Sequence, residues 1–581
     1  MSGHGLRRRT LLALPLGVLA GCGTVPTSGP VQQVSPGGRP GVERGGVQVR
    51  PVPPQPDAPP DVVMAGFIDA MASQDPDYAV ARQYLTPAAA QAWNPHAGVT
   101  VFDGDTRSTL PGTTTAGLQA RVVGTLDAGG HHQPGTGTML RHNFTMAQVD
   151  GQWHIANPPQ GLLVSQYTLR NRFRPTHVWF LGANGSSVVP ERVWLASTPV
   201  SPTQAVQALL RGPSAWLAPV VTSAIPAGTT LTPAAVTVSN GVAEIPMSED
   251  IASLPDSQRT QLAVQLGWTL RAWGDVEALR VTANGQPWAI PGQRSTGEMM
   301  VADLPDLSPV STSVGQQPFA VVKGLVGRLD DQGAFSAIGG AFGSAAWRDK
   351  ASDVAASSSS GSVAVVNAAR TRLVSATIGR QEVEVRLTGK AISRPQITPR
   401  GQVWAMVAGD ASQALRRAGR QGPAAMVKVA QLRGSRLLGF EISPDESAMA
   451  VVLQRGARSE LGLLRLREGR LDGYRALPLQ LNQQQLSRVV DVGWLGPGQL
   501  MVLAAPQPEE LASVFIVSSD GAQLEAVGPT GEADLVALAT QPRSEGASAL
   551  LRSANGQLLR YESAWRWQGL SSPVSAVAYP S

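Results

Sequence analysis

Ile442-Ser443-Pro444-Asp445-Glu446-Ser447-Ala448-Met449-Ala450-Val451 carries the architecture of the C-terminal half of this chain. An apolar start, a Ser-Pro-Asp turn and a second apolar run read as one strand, a tight turn and an antiparallel neighbour. The pattern returns weakly along the chain. Units begin at Val354, Ile397, Ile442, Val492, Ala537 and Val577, at offsets of 43, 45, 50, 45 and 40 residues. In all but the last, a second apolar run follows: residues 363–366, 403–407, 449–453, 500–503 and 549–551. About forty to forty-five residues is the length of a four-stranded propeller blade. Residues 315–581 are therefore expected to form an all-β propeller of five or six blades, with a β-sandwich array as the competing arrangement.

Working back from the propeller, residues 171–296 form an α+β segment marked by three Asn-Gly turns: Asn184-Gly185, Asn240-Gly241 and Asn284-Gly285. Each supplies the positive φ angles of a tight hairpin. Ser201, Pro202 and Gln204 stand in capping-box order ahead of a helix that ends at Gly212-Pro213. A second helix presents Leu262, Leu266, Leu270 and Trp273 on one face and closes at Gly274. The strings His177-Val178-Trp179-Phe180, Ala208-Leu209-Leu210-Arg211-Gly212-Pro213 and Ile225-Pro226-Ala227-Gly228-Thr229 resemble the GerMN domain of spore-germination proteins. That resemblance implies an extracytoplasmic interaction module with no active site.

Residues 59–165 begin with Val63, Phe67, Ala70 and Met71 on one helical face, and a second helix carries Tyr78, Ala81 and Leu85. Strand-like runs follow, the last two joined at Asp150-Gly151. Helices first and then a curved sheet suggest an α+β domain, a cone of the nuclear transport factor 2 (NTF2-like) kind. Residues 22–58, rich in Pro and Gly, read as an extended tether.

Residues 1–21 have the order of an export signal: Arg7-Arg8-Arg9, an apolar run from Leu11 to Leu19, then Leu19-Ala20-Gly21 before Cys22. Leu19, Ala20, Gly21 and Cys22 match a bacterial lipobox, and Cys22 is the only cysteine in 581 residues. The apolar run is too short to span a bilayer, which takes about twenty residues. It is therefore expected to be cleaved, and acyl chains such as palmitate on Cys22 to form the membrane anchor. The arginines leave both the Sec and the Tat export routes open.

Composition excludes several functions. The net charge is +5, three of those charges leave with the signal, and no basic stripe is interleaved with aromatics, so nucleic-acid binding is disfavoured. All seven histidines lie at or before His177, so the propeller has neither His nor Cys for a zinc site. No lysine stands in a Ser-x-x-Lys motif, and Gly389-Lys390-Ala391 breaks a P-loop. Asp103-Gly104-Asp105 lacks the remaining ligands of a calcium loop. His131-His132, in a Gly-rich stretch, reads as an exposed loop. The pairs Asp330-Asp331 and Glu509-Glu510 read as solvated charges, and Trp404, Trp494, Trp565 and Trp567 as blade core. No catalytic, cofactor or metal residue stands out, and an enzyme is not expected.

The order of lipobox, tether, α+β domain, GerMN-like domain and propeller, with Cys22-Gly23-Thr24-Val25-Pro26-Thr27-Ser28-Gly29-Pro30 after the cleavage site, resembles the actinobacterial lipoprotein LpqB family. The resemblance implies a lipoprotein on the outer face of the cell membrane. It would engage the extracytoplasmic sensor domain of a histidine kinase (MtrB-like) and modulate two-component signalling in cell-envelope homeostasis. A cell-wall glycan or small-ligand binding protein, or a peptidoglycan hydrolase, is the alternative. Carboxylates facing one another across a propeller channel, with aromatics placed to stack on sugar, would favour it. No residue marks a partner interface.

Overall fold

Side chains alternate across a strand, so a strand whose residues are all apolar has two faces to bury. Ala448–Arg455 is such a strand. Ala448, Ala450 and Val452 enter one apolar cluster, and Met449, Val451 and Leu453 enter another. In the computed structural model this strand is second in a four-stranded antiparallel sheet, and each face packs on a neighbouring sheet. The structure describes residues 51–581 except 73–75, 110–113, 136, 184, 186, 197–199, 309–315, 348, 410–413, 420–423, 482–483, 529–533, 544–545 and 572.

Among these residues six four-stranded sheets follow one another as the blades of a propeller. One apolar cluster fills each seam between neighbours: Val321 with Val365, Val366 with Ile397, Trp404 with Phe440, Val452 with Val492, Leu503 with Leu551, and Leu558 with Ala320. Each fully buried side chain of this size contributes about 1.5–3 kcal/mol. The units read from the sequence fall on strands 351–357, 393–397, 436–442, 488–496, 535–541 and 576–578. The last completes the ring. Ala576–Ala578 pairs with Phe319–Val322 of blade 1, so the neighbour that the sixth unit lacks comes from the domain's other end.

The Ser443-Pro444-Asp445 turn is closed by side-chain hydrogen bonds. Asp445 Oδ1 accepts from Ser443 Oγ (2.7 Å) and the Ser447 N–H (2.7 Å), and Ser443 Oγ accepts from the Ala448 N–H (2.9 Å). Ser518–Asp520 in blade 5 and Ser553–Asn555 in blade 6 repeat this Ser-x-Asp/Asn arrangement.

The first domain places helix Pro60–Met71, with Val63, Phe67, Ala70 and Met71 buried, against a six-stranded sheet. The expected second helix is broken. Asp77 and Tyr78 adopt positive φ (52° and 54°), leaving a 3₁₀ turn and a short helix Ala79–Gln83, and Leu85 bridges to Ile155. Asp150-Gly151 makes the expected hairpin between Val149 and Gln152.

In the second domain, helix Asp256–Leu270 crosses between parallel strands Val242–Met247 and Ala278–Ala283. Asn240-Gly241 and Asn284-Gly285 turn the hairpins Ser239/Val242 and Ala283/Gln286; Asn184 lies outside the described residues. Ser201 and Gln204 form a full capping box on helix Pro202–Leu210. Ser201→Ala is therefore expected to lower stability by about 1 kcal/mol in denaturant titration. No helix among the described residues is long and apolar enough to cross a membrane.

Candidate functional site: the propeller channel and the three-domain junction

Five of the six innermost strands shift register at the same level, at 351/353, 393/396, 437/439, 489/491 and 535/537. A bulge re-aims the side chains beside it. Here the re-aimed groups line a central cavity of about 540 Å³. Asp353 accepts from the Val354 N–H (3.0 Å) and from the Arg394 N–H of the next blade (3.1 Å). Asp491 accepts from the Val492 N–H (2.9 Å), from the Leu538 N–H of the next blade (2.8 Å), and from Arg394 Nη1. Each acid thus closes its own bulge and fastens the following blade. Gln396 does the same between blades 3 and 4, donating to the Phe440 carbonyl and to Glu441 while accepting from the Ile442 N–H.

The channel is charged without being a metal cage, for no group of three or more His, Cys, Asp or Glu among the described residues is placed to hold an ion. Arg394 is held more firmly protonated than usual by Asp491. Burial, reinforced by the negative charge of Asp491, pushes the Glu441 carboxyl up to about 8. Arg552 is moved the other way, by burial and by the like charge of Arg394.

A second polar cluster forms where all three domains meet. Asp520 reuses the Ser-x-Asp turn. Its Oδ1 accepts from Ser518 Oγ and the Ala522 N–H, while Oδ2 accepts from Trp194 Nε1 (2.8 Å) and faces Arg192 Nε (3.6 Å). Its carbonyl accepts from His132 Nδ1 (2.9 Å), which fixes that tautomer. One residue of blade 5 therefore holds the first domain through His132 and the second through Trp194 and Arg192. Burial opposes its charge, but Arg192, His132 and the hydrogen bonds of Ser518 and Trp194 outweigh burial and keep the carboxyl below the usual range. Nearby, Arg475 of blade 4 stacks on Trp216 of the second domain at 4.3 Å, and Trp216 Nε1 donates to the Gly473 carbonyl (2.9 Å). These groups border a cavity of about 950 Å³ shared by the three domains.

His177 and His132 make this junction sensitive to acid, and His131 opposes them. Burial and the charge of Arg192 lower His177 to about 4 against the opposing pull of Asp520, and burial lowers His132 in the same sense. His131 is raised, because its hydrogen bond to Asp127 and the charges of Glu191 and Asp127 exceed the effect of burial. A lowered His contributes stability that is complete above its unfolded value of 6.5 and is lost as pH falls towards the folded value. From pH 7 to 5, His177 alone is expected to remove about 2 kcal/mol. Melting temperature against pH should show the decline, and His177→Gln should flatten it; equal slopes would reject this assignment.

Family descriptions match three successive parts of the chain: "Lipoprotein LpqB, N-terminal domain" over residues 53–170, "Sporulation and spore germination" over 177–288, and "Lipoprotein LpqB beta-propeller domain" over 323–579. Lipoprotein LpqB of Cutibacterium acnes is 34% identical over 588 residues, spanning 98% of each chain. The chain belongs to the LpqB lipoprotein family. Lipoprotein LpqB of Thermobifida fusca is 29% identical over 289 residues, 47% of this chain and 46% of that one. Among solved structures, TolB from Acinetobacter baumannii superimposes with a TM-score of 0.34 at 13% identity, over 54% of this chain and 85% of that one. The tandem GerMN domains of GerM from Bacillus subtilis superimpose with a TM-score of 0.19 at 17% identity, over 27% and 61%.

In this LpqB chain Cys22 and its lipobox residues Leu19, Ala20 and Gly21 lie outside the described residues. His131-His132 is not an exposed loop: the two residues are 6% and 5% exposed, because Val193 bridges His131 and blade 5 covers His132. Trp404 and Trp494 are blade core as expected, whereas Trp565 is 58% exposed. Asp331 and the pair Glu509-Glu510 are solvated. Sequence reading passed over Asp353, Arg394, Asp491, Asp520 and Arg552. A signal for the channel was present. Aligned on the repeat, the residues just before the unit starts include Asp353, Gln396, Glu441 and Asp491, a polar column beside an apolar one. Asp520 had no such signal, since its partners come from another domain.

Proposed function

We propose that this LpqB protein is anchored to the outer face of the cell membrane through acyl chains on Cys22. There it binds the sensor domain of an MtrB-like histidine kinase and biases two-component signalling in cell-envelope homeostasis. The observation that carries the reading is the junction: the buried Asp520–Arg192 charge pair and the hydrogen bonds of Asp520 with His132 and Trp194 join three domains into one compact unit. A preorganised composite surface loses little conformational entropy on docking. The lipid tether supplies a high effective concentration near a membrane receptor, and a few kcal/mol of differential binding suffices to shift a kinase equilibrium.

The test is titration of residues 30–581 against the purified sensor domain, in solution and with both partners tethered to the same liposomes. Saturable binding in either format is the expected result; absence of binding in both would overturn the reading. Cys22→Ser is expected to move the protein from the membrane to the soluble fraction, and unchanged retention would reject the anchor. The channel favours a second reading, small-ligand binding, over hydrolysis. Asp353 and Asp491 are committed to backbone N–H groups and Arg394, and the blade-core tryptophans Trp404 and Trp494 offer no sugar platform there.

A further inference from the structure

Of the three arginines that line the cavity, Arg394 pairs with Asp491, Arg370 donates to the Ile392 carbonyl (3.0 Å), and Arg552 has neither a carboxylate nor a close carbonyl among the described residues. Arg552 lines the cavity, yet among the described residues its hydrogen bonding is a single long contact, 3.4 Å, to the neighbouring Ser553 carbonyl. No described carboxylate forms an ion pair with it. The reason lies in the ring of bulges. Past the bulge in blades 2 and 5 stands an Asp, Asp353 or Asp491. The same register position in blade 6 is Ala537, and the residue paired with it is Arg552. The two acids whose fields reach Arg552 are turned to backbone N–H groups and to Arg394, and Arg394 itself repels it.

Three arginines line one chamber and only Arg394 has a carboxylate partner among the described residues, which suits the chamber to an anion; the planar fork of arginine matches carboxylate and phosphate oxygens.

We propose that the propeller channel binds a small ligand bearing a carboxylate or phosphate group, held between Arg552 and Arg394 in the 540 Å³ cavity. That volume lies within the usual range for small-molecule sites, about 300–1,000 Å³. Glu441 supports the assignment: with its carboxyl pushed up to about 8, it carries a proton at neutral pH and adds a donor instead of a third negative charge. Raising the pH from 7 to 9 therefore weakens binding. This inference is separate from kinase binding, which needs no occupied channel.

Calorimetric titration of the full chain in detergent micelles tests it, with citrate, inorganic phosphate and N-acetylmuramic acid as probes and neutral N-acetylglucosamine as the control. Saturable binding of at least one anion, with none of the neutral sugar, is expected. The preference among the probes separates a carboxylate ligand from a phosphate. Arg552→Gln should weaken binding about tenfold or more, Arg552→Lys by less, and both variants should melt like the parent and keep any sensor-domain affinity. The proposal is overturned if no anion binds below about 10 mM, if the neutral sugar binds as well as the acids, or if Arg552→Gln binds like the parent.

Discussion

Asp491→Ala is expected to destabilise the propeller by about 3–5 kcal/mol, the usual effect of removing one partner from a buried charge pair. Asp491 is 2% exposed and accepts from three donors. Truncation leaves the Leu538 N–H without its acceptor at the seam between blades 5 and 6, and deprives Arg394 of its nearest carboxylate. For a domain of this size, the melting temperature should fall by on the order of 10 °C. Asp491→Asn is the milder form. It keeps the shape, but its amide nitrogen must face either a backbone N–H or a guanidinium. A double variant, Asp491→Leu with Arg394→Met, should recover part of the loss, because it removes both charges together. Calorimetry of the parent, the single variants Asp491→Leu and Arg394→Met, and the double variant measures the coupling. Additive losses would mean that Asp491 acts through its backbone contacts alone.

Asp520 gives the second large effect, on domain docking more than on folding. Its two oxygens have separate duties, Oδ1 to its own turn and Oδ2 to the second domain. Asp520→Ala destroys both. Asp520→Asn should spare the turn, because Asn555 already holds the same arrangement in blade 6. It would present an amide, without charge, to Arg192 and Trp194. An uncompensated Arg192 at 7% exposure should shift the docking equilibrium by roughly a hundredfold or more. Small-angle scattering should register a larger radius of gyration for Asp520→Asn at an unchanged propeller melting temperature. An unchanged radius would show that Arg475, Trp216 and the apolar contacts hold the junction without Asp520.

These two residues also show what a sequence does and does not reveal. Propeller periodicity was legible because every blade needs apolar runs on both faces of its strands, a local demand repeated six times. The channel was half legible: Asp353 and Asp491 precede their repeat starts at the same offset, but their meaning depends on a bulge that periodicity does not display. Arg552 is informative only through the acid missing opposite it, and such a gap needs the register to be seen. The junction was the least legible. His131 and His132 sit among glycines and look like a surface loop; their burial comes from Val193, in the next domain, and from a turn nearly four hundred residues away. Capping at Ser201 and the Asn-Gly hairpins were read directly, because those signals are complete within a few residues.

The closing strand Ala576–Ala578 has a consequence for how the domain assembles. In an open array of repeats, folding can start at any unit and spread, and the two ends fray. Here Ala578 sits opposite Phe319, so the last seam cannot form until both extremities of the domain meet. Such distant pairing carries a loop-closure penalty before it brings any contact. The propeller is therefore expected to fold more slowly than the two domains ahead of it. Once closed, it has no outermost blade at which unzipping can begin.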